Sequence, residues 1–315
     1  MKKSVNEILK KTLKHYIDLE YYANGVDLDI QDLFNELKSK CDAFIESQKS
    51  YNTKDSYNLT YKAIKELVEE FGQRLQERLE EEAEIVMQLE EEFLDNLYNK
   101  KETEKEGSVA KKAALTIGGV TISKLLFAPI DGRDTTKQFV ERTTKNILRS
   151  YDMPMRSGYL FGQSAEDIKA QAANQLKQVS RGMGNAIKTA IPSYAKTTDK
   201  IIFINNDLEV VWVATLDGRT CIQCASLSGI HFKSAALAPL THILCRCQLI
   251  PINAISESVP DYEEFIESLS EEDQEQVLGK SRYEMYKNGV SLERFVNNGN
   301  VKSVKELKTE LNTDV

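Results

Sequence analysis

One uninterrupted helical pattern, between about residues 59 and 101, constrains the fold of this chain more than any other feature. The stretch contains no proline and only one glycine, Gly72. Its apolar or small residues recur at steps of three and four, which is the spacing of one helix face, and they stand at 67, 71, 75, 79, 83, 86, 89, 93 and 97. A helix of about 40 residues is about 60 Å long. We therefore expect it to pack along something extended.

Charge is segregated along the chain. Residues 62–106 carry 15 acidic and 7 basic side chains, whereas residues 111–200 carry 15 basic and 7 acidic ones, within a total net charge of −8. We interpret the acidic runs at 80–84 and 90–92 as the solvated face of the long helix. The basic stretch predicts either solvated helix faces or contact with nucleic-acid phosphates.

The first 55 residues predict two helices that meet at Asn24-Gly25. Cys41 lies in the apolar stripe of the second helix, where we expect a small, buried core residue. The chain opens with a capping box at Ser4 rather than with an apolar signal segment, so we expect no secretion.

Residues 113–130 are apolar around a single charge, Lys124. A bilayer-spanning helix needs about 20 predominantly apolar residues, and this stretch is shorter and is interrupted by Gly118-Gly119 and Pro129. We predict a segment that is buried in the core or contacts a partner, with a membrane-active segment as the alternative.

The pattern changes after residue 200. Two β-branched and aromatic runs, 201–204 and 210–213, flank Asn-Asn-Asp and predict a β-hairpin. Further helices are expected beyond it, with a cap at Ser270 and ends at Gly279 and Asn288-Gly289. The expected fold is mainly α with a small α+β module, in four regions: a helical arm with the long acidic amphipathic helix (1–107), a basic helical region (108–200), a small β-containing Cys/His module (201–255) and C-terminal helices (256–315).

Four of the five cysteines lie within 27 residues, at 221, 224, 245 and 247, and His242 lies among them. In a chain without a secretion signal, such clustering favours metal ligation over a disulfide framework. Two thiols separated by two residues can form a turn that aims both sulfur atoms at one point, as structural zinc sites require. We predict a structural zinc bound by Cys221, Cys224, His242 and Cys247, with Cys245 as an alternative ligand. Buried thiols and disulfides are the competing interpretations.

The same cluster lacks the pattern of a zinc enzyme. Zinc deaminases pair His-x-Glu with Pro-Cys-x-x-Cys, whereas His242 is followed by Ile243-Leu244 and Cys221 is preceded by Thr220. A nucleophile pair of Cys245 and His242 is conceivable, but spacing in sequence does not establish its geometry. The sequence contains neither a phosphate-cradling glycine loop nor a hydrolase nucleophile elbow. We therefore predict a non-enzymatic protein with no catalytic residue and no small-molecule substrate.

The residues around the cluster carry a family resemblance. The order Trp-x-Ala-Thr-x-Asp-x-Arg-Thr-Cys-x-x-Cys begins at Trp212, and Leu-x-Gly follows at Leu227. Pro-x-x-His-x-x-Cys-Arg-Cys then begins at Pro239. This order resembles the phage minor head, or head-morphogenesis, family, whose namesake is the F protein of phage Mu. The resemblance is tightest over 212–251 and covers roughly 130–255.

The resemblance implies a structural protein of the virion, made in the cytoplasm of the host bacterium and incorporated inside the head near the portal. Its implied partners are the phage portal protein, the major capsid or scaffolding protein, and packaged DNA bound without sequence preference, with no membrane contact. Its implied role is head assembly, genome delivery (DNA ejection), or both. The alternatives are a phage-encoded nuclease or transferase toxin that uses the Cys/His module, and a membrane-active ejection protein that uses residues 113–130.

Overall fold

The structure is a computed structural model that describes residues 5–48, 53–99, 115–130, 133–214, 221–239, 247–256, 258–259, 262–267, 269–297 and 300–313. Its α-helices are α1 Val5–Ser47, α2 Lys54–Leu94, α3 Ile122–Phe127, α4 Thr136–Phe161, α5 Ala165–Asn205, α6 Ile222–Leu227, α7 Tyr262–Glu267, α8 Glu271–Leu278, α9 Lys280–Lys287 and α10 Val304–Thr313. Its strands are β1 Val210–Val213, β2 His231–Phe232, β3 Gln248–Pro251, β4 Val296–Asn297 and β5 Asn300–Val301. The expected mainly α fold with a small α+β module is confirmed.

Capping side chains fix where the long helices begin. Thr53 accepts a hydrogen bond from the Ser56 backbone N–H at the start of α2. Thr135 and Ser164 form capping boxes with residues three positions later, at the starts of α4 and α5. These bonds satisfy backbone N–H groups that have no partner within the first helical turn. Between α4 and α5, Gly162 adopts φ 68°, which ends α4 in the left-handed conformation that glycine favours.

The long helices α1, α2, α4 and α5 pack into a bundle around one apolar core. Helix α5 contacts α1, α2 and α4, and α2 also contacts α1 and α4. Tyr151, Tyr194 and Phe139 are among the largest fully buried side chains. The predicted acidic arm and basic middle region therefore share one core, and the bundle is the extended surface along which α2 packs.

The small sheet adjoins the bundle. Strand β1 is its middle strand and pairs antiparallel with both β2 and β3. Val211 and Val213 of β1 cluster with Ile8 of α1 and with Leu97, just beyond α2. A separate apolar cluster joins α6 to the C-terminal helices through Ile222, together with residues such as Ile266, Leu278 and Phe295.

Two expectations about the elements are wrong. Helix α1 is continuous through Asn24-Gly25, because Ala23, Val26 and Ile30 keep one buried stripe across the expected break. Residues 201–204 are the last turn of α5 rather than a strand, since Ile202 and Phe203 are buried against Leu94 in the helical register. The sheet therefore begins at Val210 and contains no 201–204 hairpin.

The expectations for Cys41 and for the C-terminal helix limits are confirmed. Cys41 is fully buried in the bundle core, and burial raises the pKa of its thiol to about 12. The predicted Ser270 cap starts α8, and α8 and α9 end next to Gly279 and Asn288. In residues 115–130, Leu125 and Ile130 are buried in the bundle core, whereas Phe127 is 80% exposed, so the segment is buried only in part. Within the described ranges, none of the helices combines the length and apolar character needed to cross a bilayer.

Candidate functional site

Trp212 lies at the centre of the candidate site, on the middle strand β1. Successive side chains of a strand point to opposite faces, so Val211 and Val213 face the bundle whereas Trp212 and Ala214 face the cysteines. Trp212 is only 3% exposed. The strand thus places its large aromatic side chain at the base of the Cys/His module.

Cys221 and Cys224 lie at the beginning of α6. Cys221 is the N-cap, and its Sγ accepts a hydrogen bond from the backbone N–H of Cys224 at 3.4 Å. The positive end of a helix favours negative charge on such a sulfur atom. The two-residue spacing therefore does form the turn that was expected, and Cys224 is buried beside Trp212.

Cys247 reaches the same place from the other strand. It immediately precedes β3, and the antiparallel register pairs Val213 with Gln248. The next position along the register sets Cys247 near Ala214, and both are buried in the cluster that holds Trp212. Cys247 thus shares one apolar cluster with Cys221 and Cys224, which lie far from it in sequence.

The other two predicted ligands, His242 and Cys245, lie outside the described residues. Among the residues that are described, no three or more His, Cys, Asp or Glu side chains form a group that could hold a metal ion. Zinc binding by the set Cys221, Cys224, His242 and Cys247 therefore stays a prediction. His231 is exposed on β2.

A tight turn ties α6 back to the Trp212 strand. The Gly229 backbone N–H donates to the Trp212 carbonyl at 2.9 Å, and the Trp212 N–H donates to the Ile230 carbonyl at 3.0 Å. Gly229 has φ 78°, a left-handed conformation that favours glycine. The glycine of the Leu-x-Gly motif therefore holds the cysteine helix against the sheet.

A small cavity of about 40 Å³ lies beside the cluster. It is lined by Asp199 and Lys200 of α5 and by Trp212, Cys247 and Gln248 of the module, among others. The Trp212 indole N–H is buried and has no hydrogen-bond acceptor among the described residues. Such a cavity has room for water, but typical small-molecule sites occupy about 300–1,000 Å³.

Sequence reasoning missed a buried acidic cluster next to this cavity. Glu90 of α2 is 0% exposed, and its Oε2 lies 2.7 Å from His15 Nε2. Phe93 stacks on the His15 ring at 4.0 Å. Asp199 of α5 is also buried and interacts with Glu90. The sequence does carry a signal for this burial, because Glu90 follows the buried positions 79, 83 and 86 at helical spacing.

Burial controls the protonation of this cluster. It raises the pKa of Glu90 to about 7, against smaller opposing effects of a hydrogen bond with Asp199 and of the Lys196 charge. Burial, reinforced by the Glu90 charge, raises the pKa of Asp199 well above its ordinary value. Burial also lowers the pKa of His15, which the Asp199 charge opposes. Glu90 Oε1 and Asp199 Oδ1 are both buried without a donor among the described residues, so one proton shared by the two carboxyl groups satisfies both.

Comparison of the chain with protein-family models, with curated proteins and with solved structures gives no match. The family resemblance therefore rests on the motif residues. Of these, Trp212, Cys221, Cys224 and Cys247 meet in one cluster, and Gly229 bonds to the Trp212 strand. Residues that are far apart in the motif thus pack together around the Trp212 strand.

Proposed function

We propose that this chain is a minor head structural protein of a tailed phage, which associates with the portal protein and with packaged DNA inside the head. In this role it assists head assembly, genome delivery, or both. The major capsid or scaffolding protein is a further proposed partner. The protein performs no reaction.

The observation that carries the proposal is the cluster of Trp212, Cys221, Cys224 and Cys247. These are motif residues of the minor head resemblance, and they pack against each other in an apolar environment. Cys224 and Cys247 are 3% and 4% exposed, which suits a group that holds the module together better than one that meets a substrate. The adjoining cavity, at about 40 Å³, supports the same conclusion.

Zinc is part of the proposal. Thiol-rich sets suit zinc, and three thiols, two at the start of α6 and one just before β3, share one cluster. His242 is the proposed fourth ligand, and Cys245 is the alternative. Bound zinc would add folding energy to a module with a small apolar core.

The direct test is mass spectrometry of purified virions from a phage that encodes this chain. The proposal expects the intact chain at a few copies per particle, and it expects co-purification with the portal protein from disrupted heads. A chain found only in the infected cell, and never in purified particles, contradicts the proposal.

A substitution separates the structural role from an enzymatic one. Under our proposal, His242→Ala reduces bound zinc from about one per chain, destabilises the module and prevents incorporation into heads. His231→Ala is the matched control, because His231 is exposed on β2, and it should retain both zinc and incorporation. Normal incorporation of His242→Ala together with loss of a nuclease or transferase reaction would favour the enzyme alternative.

A further inference from the structure

A polar groove of about 630 Å³ runs between α4 and α5, away from the cysteine cluster. The lining residues of α4 lie between 139 and 150, and those of α5 lie between 174 and 183. On each helix they repeat at steps of three, four or one, so each helix contributes a single face. The groove is therefore a built feature of the two-helix packing.

The lining is basic and rich in amides. It contains the guanidinium groups of Arg142 and Arg149, the side-chain amides of Asn146, Asn174 and Gln178, and no Asp or Glu. Guanidinium and amide NH₂ groups donate hydrogen bonds to phosphate oxygens. This composition fits an anionic ligand.

Two basic side chains on the α4 side of the groove are available to a ligand. Arg149 is exposed and forms no ion pair with another described residue. Lys145, also exposed, lies three residues after Arg142 and four before Arg149, which sets it between them on neighbouring turns. The Arg142 Nε donates to Asp134, which anchors that guanidinium at the groove. These residues form a row of three basic side chains, of which Arg142 is already paired with Asp134.

The spacing of this row suits a nucleic-acid strand. Arg142 and Arg149 are seven residues apart, which corresponds to about 10 Å along the helix axis. Each strand of B-DNA carries one phosphate per about 3.4 Å of axis, so the row spans about three phosphates. Phe139 is the aromatic residue of the lining and is 1% exposed, so it offers no face for the stacking that single strands use.

We infer that the α4–α5 groove binds the phosphate backbone of duplex DNA without sequence preference. The choice of DNA over another polyanion rests on the function proposed above, under which packaged DNA is the partner. The groove then supplies the contact surface on which the basic region meets the genome.

Gly182 allows a sharp test because it lies in the groove. A Cβ atom added at this position meets no other atom within 4 Å, and Gly182 is exposed inside α5 without a positive φ. Gly182→Glu and Gly182→Gln are therefore both tolerated, and both raise helix propensity. They have the same shape and differ by one negative charge in the groove.

The measurement is binding of the full-length chain to a fluorescent duplex of random sequence, by anisotropy, across a range of salt concentrations. Loss of one phosphate contact weakens binding about eightfold at about 0.1 M salt and lowers the salt slope by about 1. We expect this for Arg149→Gln, and a similar difference between Gly182→Glu and Gly182→Gln. Arg74→Gln is the control, since Arg74 pairs with Glu36 on the arm and should bind like wild type.

Three results would overturn the inference. They are no salt-sensitive binding by wild type, equal effects of Arg149→Gln and Arg74→Gln, and polyglutamate binding as tight as duplex binding. The last result would assign the groove to an acidic protein. The virion test is independent of the binding test. If the chain is present in virions but its DNA binding does not depend on the groove, the proposed function stands and this inference is rejected. If the chain binds DNA through the groove but is absent from virions, the proposed function is rejected and the binding site stands.

Discussion

At the scale of single residues, the buried pair of Glu90 and Asp199 has the clearest energetic consequence. The pair lies between α2 and α5, with His15 of α1 bonded to Glu90. Ionising both buried carboxyl groups is unfavourable, because neither carboxylate is solvated and the two negative charges repel each other. The bundle therefore retains a proton there near neutral pH.

This arrangement predicts a pH-dependent stability that Glu90→Gln removes. The folded pKa of Glu90, about 7, lies above its ordinary value of 4.5. Its stabilising contribution is therefore full below about pH 4.5 and is lost as pH rises through 7. The difference between the folded and the ordinary pKa of Glu90 corresponds to about 3 kcal/mol in the free energy of unfolding. We expect the free energy of unfolding to fall less steeply with pH in Glu90→Gln, and the variant to be more stable than wild type at pH 8.

Urea unfolding at several pH values measures this. Neighbouring groups also titrate, since Asp199 has a raised pKa and His15 a lowered one, and His15 adds stability as pH rises through its ordinary value of 6.5. Because His15 bonds to Glu90, its titration also changes in Glu90→Gln, and the difference between the two proteins reports His15, Glu90 and Asp199 as one cluster. Glu92→Gln is the matched control, since Glu92 is exposed two residues along α2. Parallel pH profiles for wild type and Glu90→Gln would contradict the shared proton.

At the scale of elements, the sequence predicts long helices well and their limits less well. The continuous apolar pattern predicts helix α2. The buried face of the helix includes Glu90 and Leu94, whereas Leu89, which the pattern assigns to that face, is 41% exposed. Periodicity alone could not choose Glu90 over Leu89, because the choice depends on the partners His15 and Asp199. The expectation that the acidic runs at 80–84 and 90–92 form only a solvated face is wrong at Glu82 and Glu90, which are both 0% exposed.

Local turn signals failed for a related reason. Asn24-Gly25 favours a turn in isolation, and the run 201–204 favours a strand, but tertiary packing on a neighbouring helix keeps both helical. In the candidate site, the motif predicted which cysteines matter. It could not predict that Trp212 joins them, because that contact depends on the pairing of β1 with β3.

Backbone conformation makes opposite predictions for two glycines, one inside α1 and the other just after α9. Gly25 lies inside α1 with nothing within 4 Å of an added side chain and no positive φ, so Gly25→Ala should stabilise the protein by about 1 kcal/mol. Gly289 follows α9 with φ +89°, so Gly289→Ala should destabilise it by about 1 kcal/mol. Chemical denaturation measures both changes. A destabilising Gly25→Ala would instead support the helix break expected from the sequence.

At the scale of the whole molecule, the chain has separate apolar cores. The bundle core is built from α1 to α5, whereas Trp212 and the cysteines belong to a smaller cluster of their own. The charge segregation seen in the sequence is not a separation into independent bodies, because acidic α2 packs directly against α4 and α5. Stability of the bundle should therefore depend on apolar burial, and stability of the module on its cysteines.

The single tryptophan of the chain allows these cores to be observed separately. Trp212 is the only Trp, and it lies in the cysteine cluster, so its fluorescence reports the module while far-UV circular dichroism reports mainly the helical bundle. If the module holds zinc as proposed, its removal by a chelator should lower the midpoint of the fluorescence transition and leave most of the dichroism transition in place, because all of the proposed ligands belong to the module. Cys221→Ser should reproduce the chelator effect, and Cys41→Ala, in the bundle core, should instead lower the dichroism transition. If the chelator leaves the Trp212 transition unchanged in a protein that holds zinc, the metal lies elsewhere and the cysteine cluster is held by packing alone.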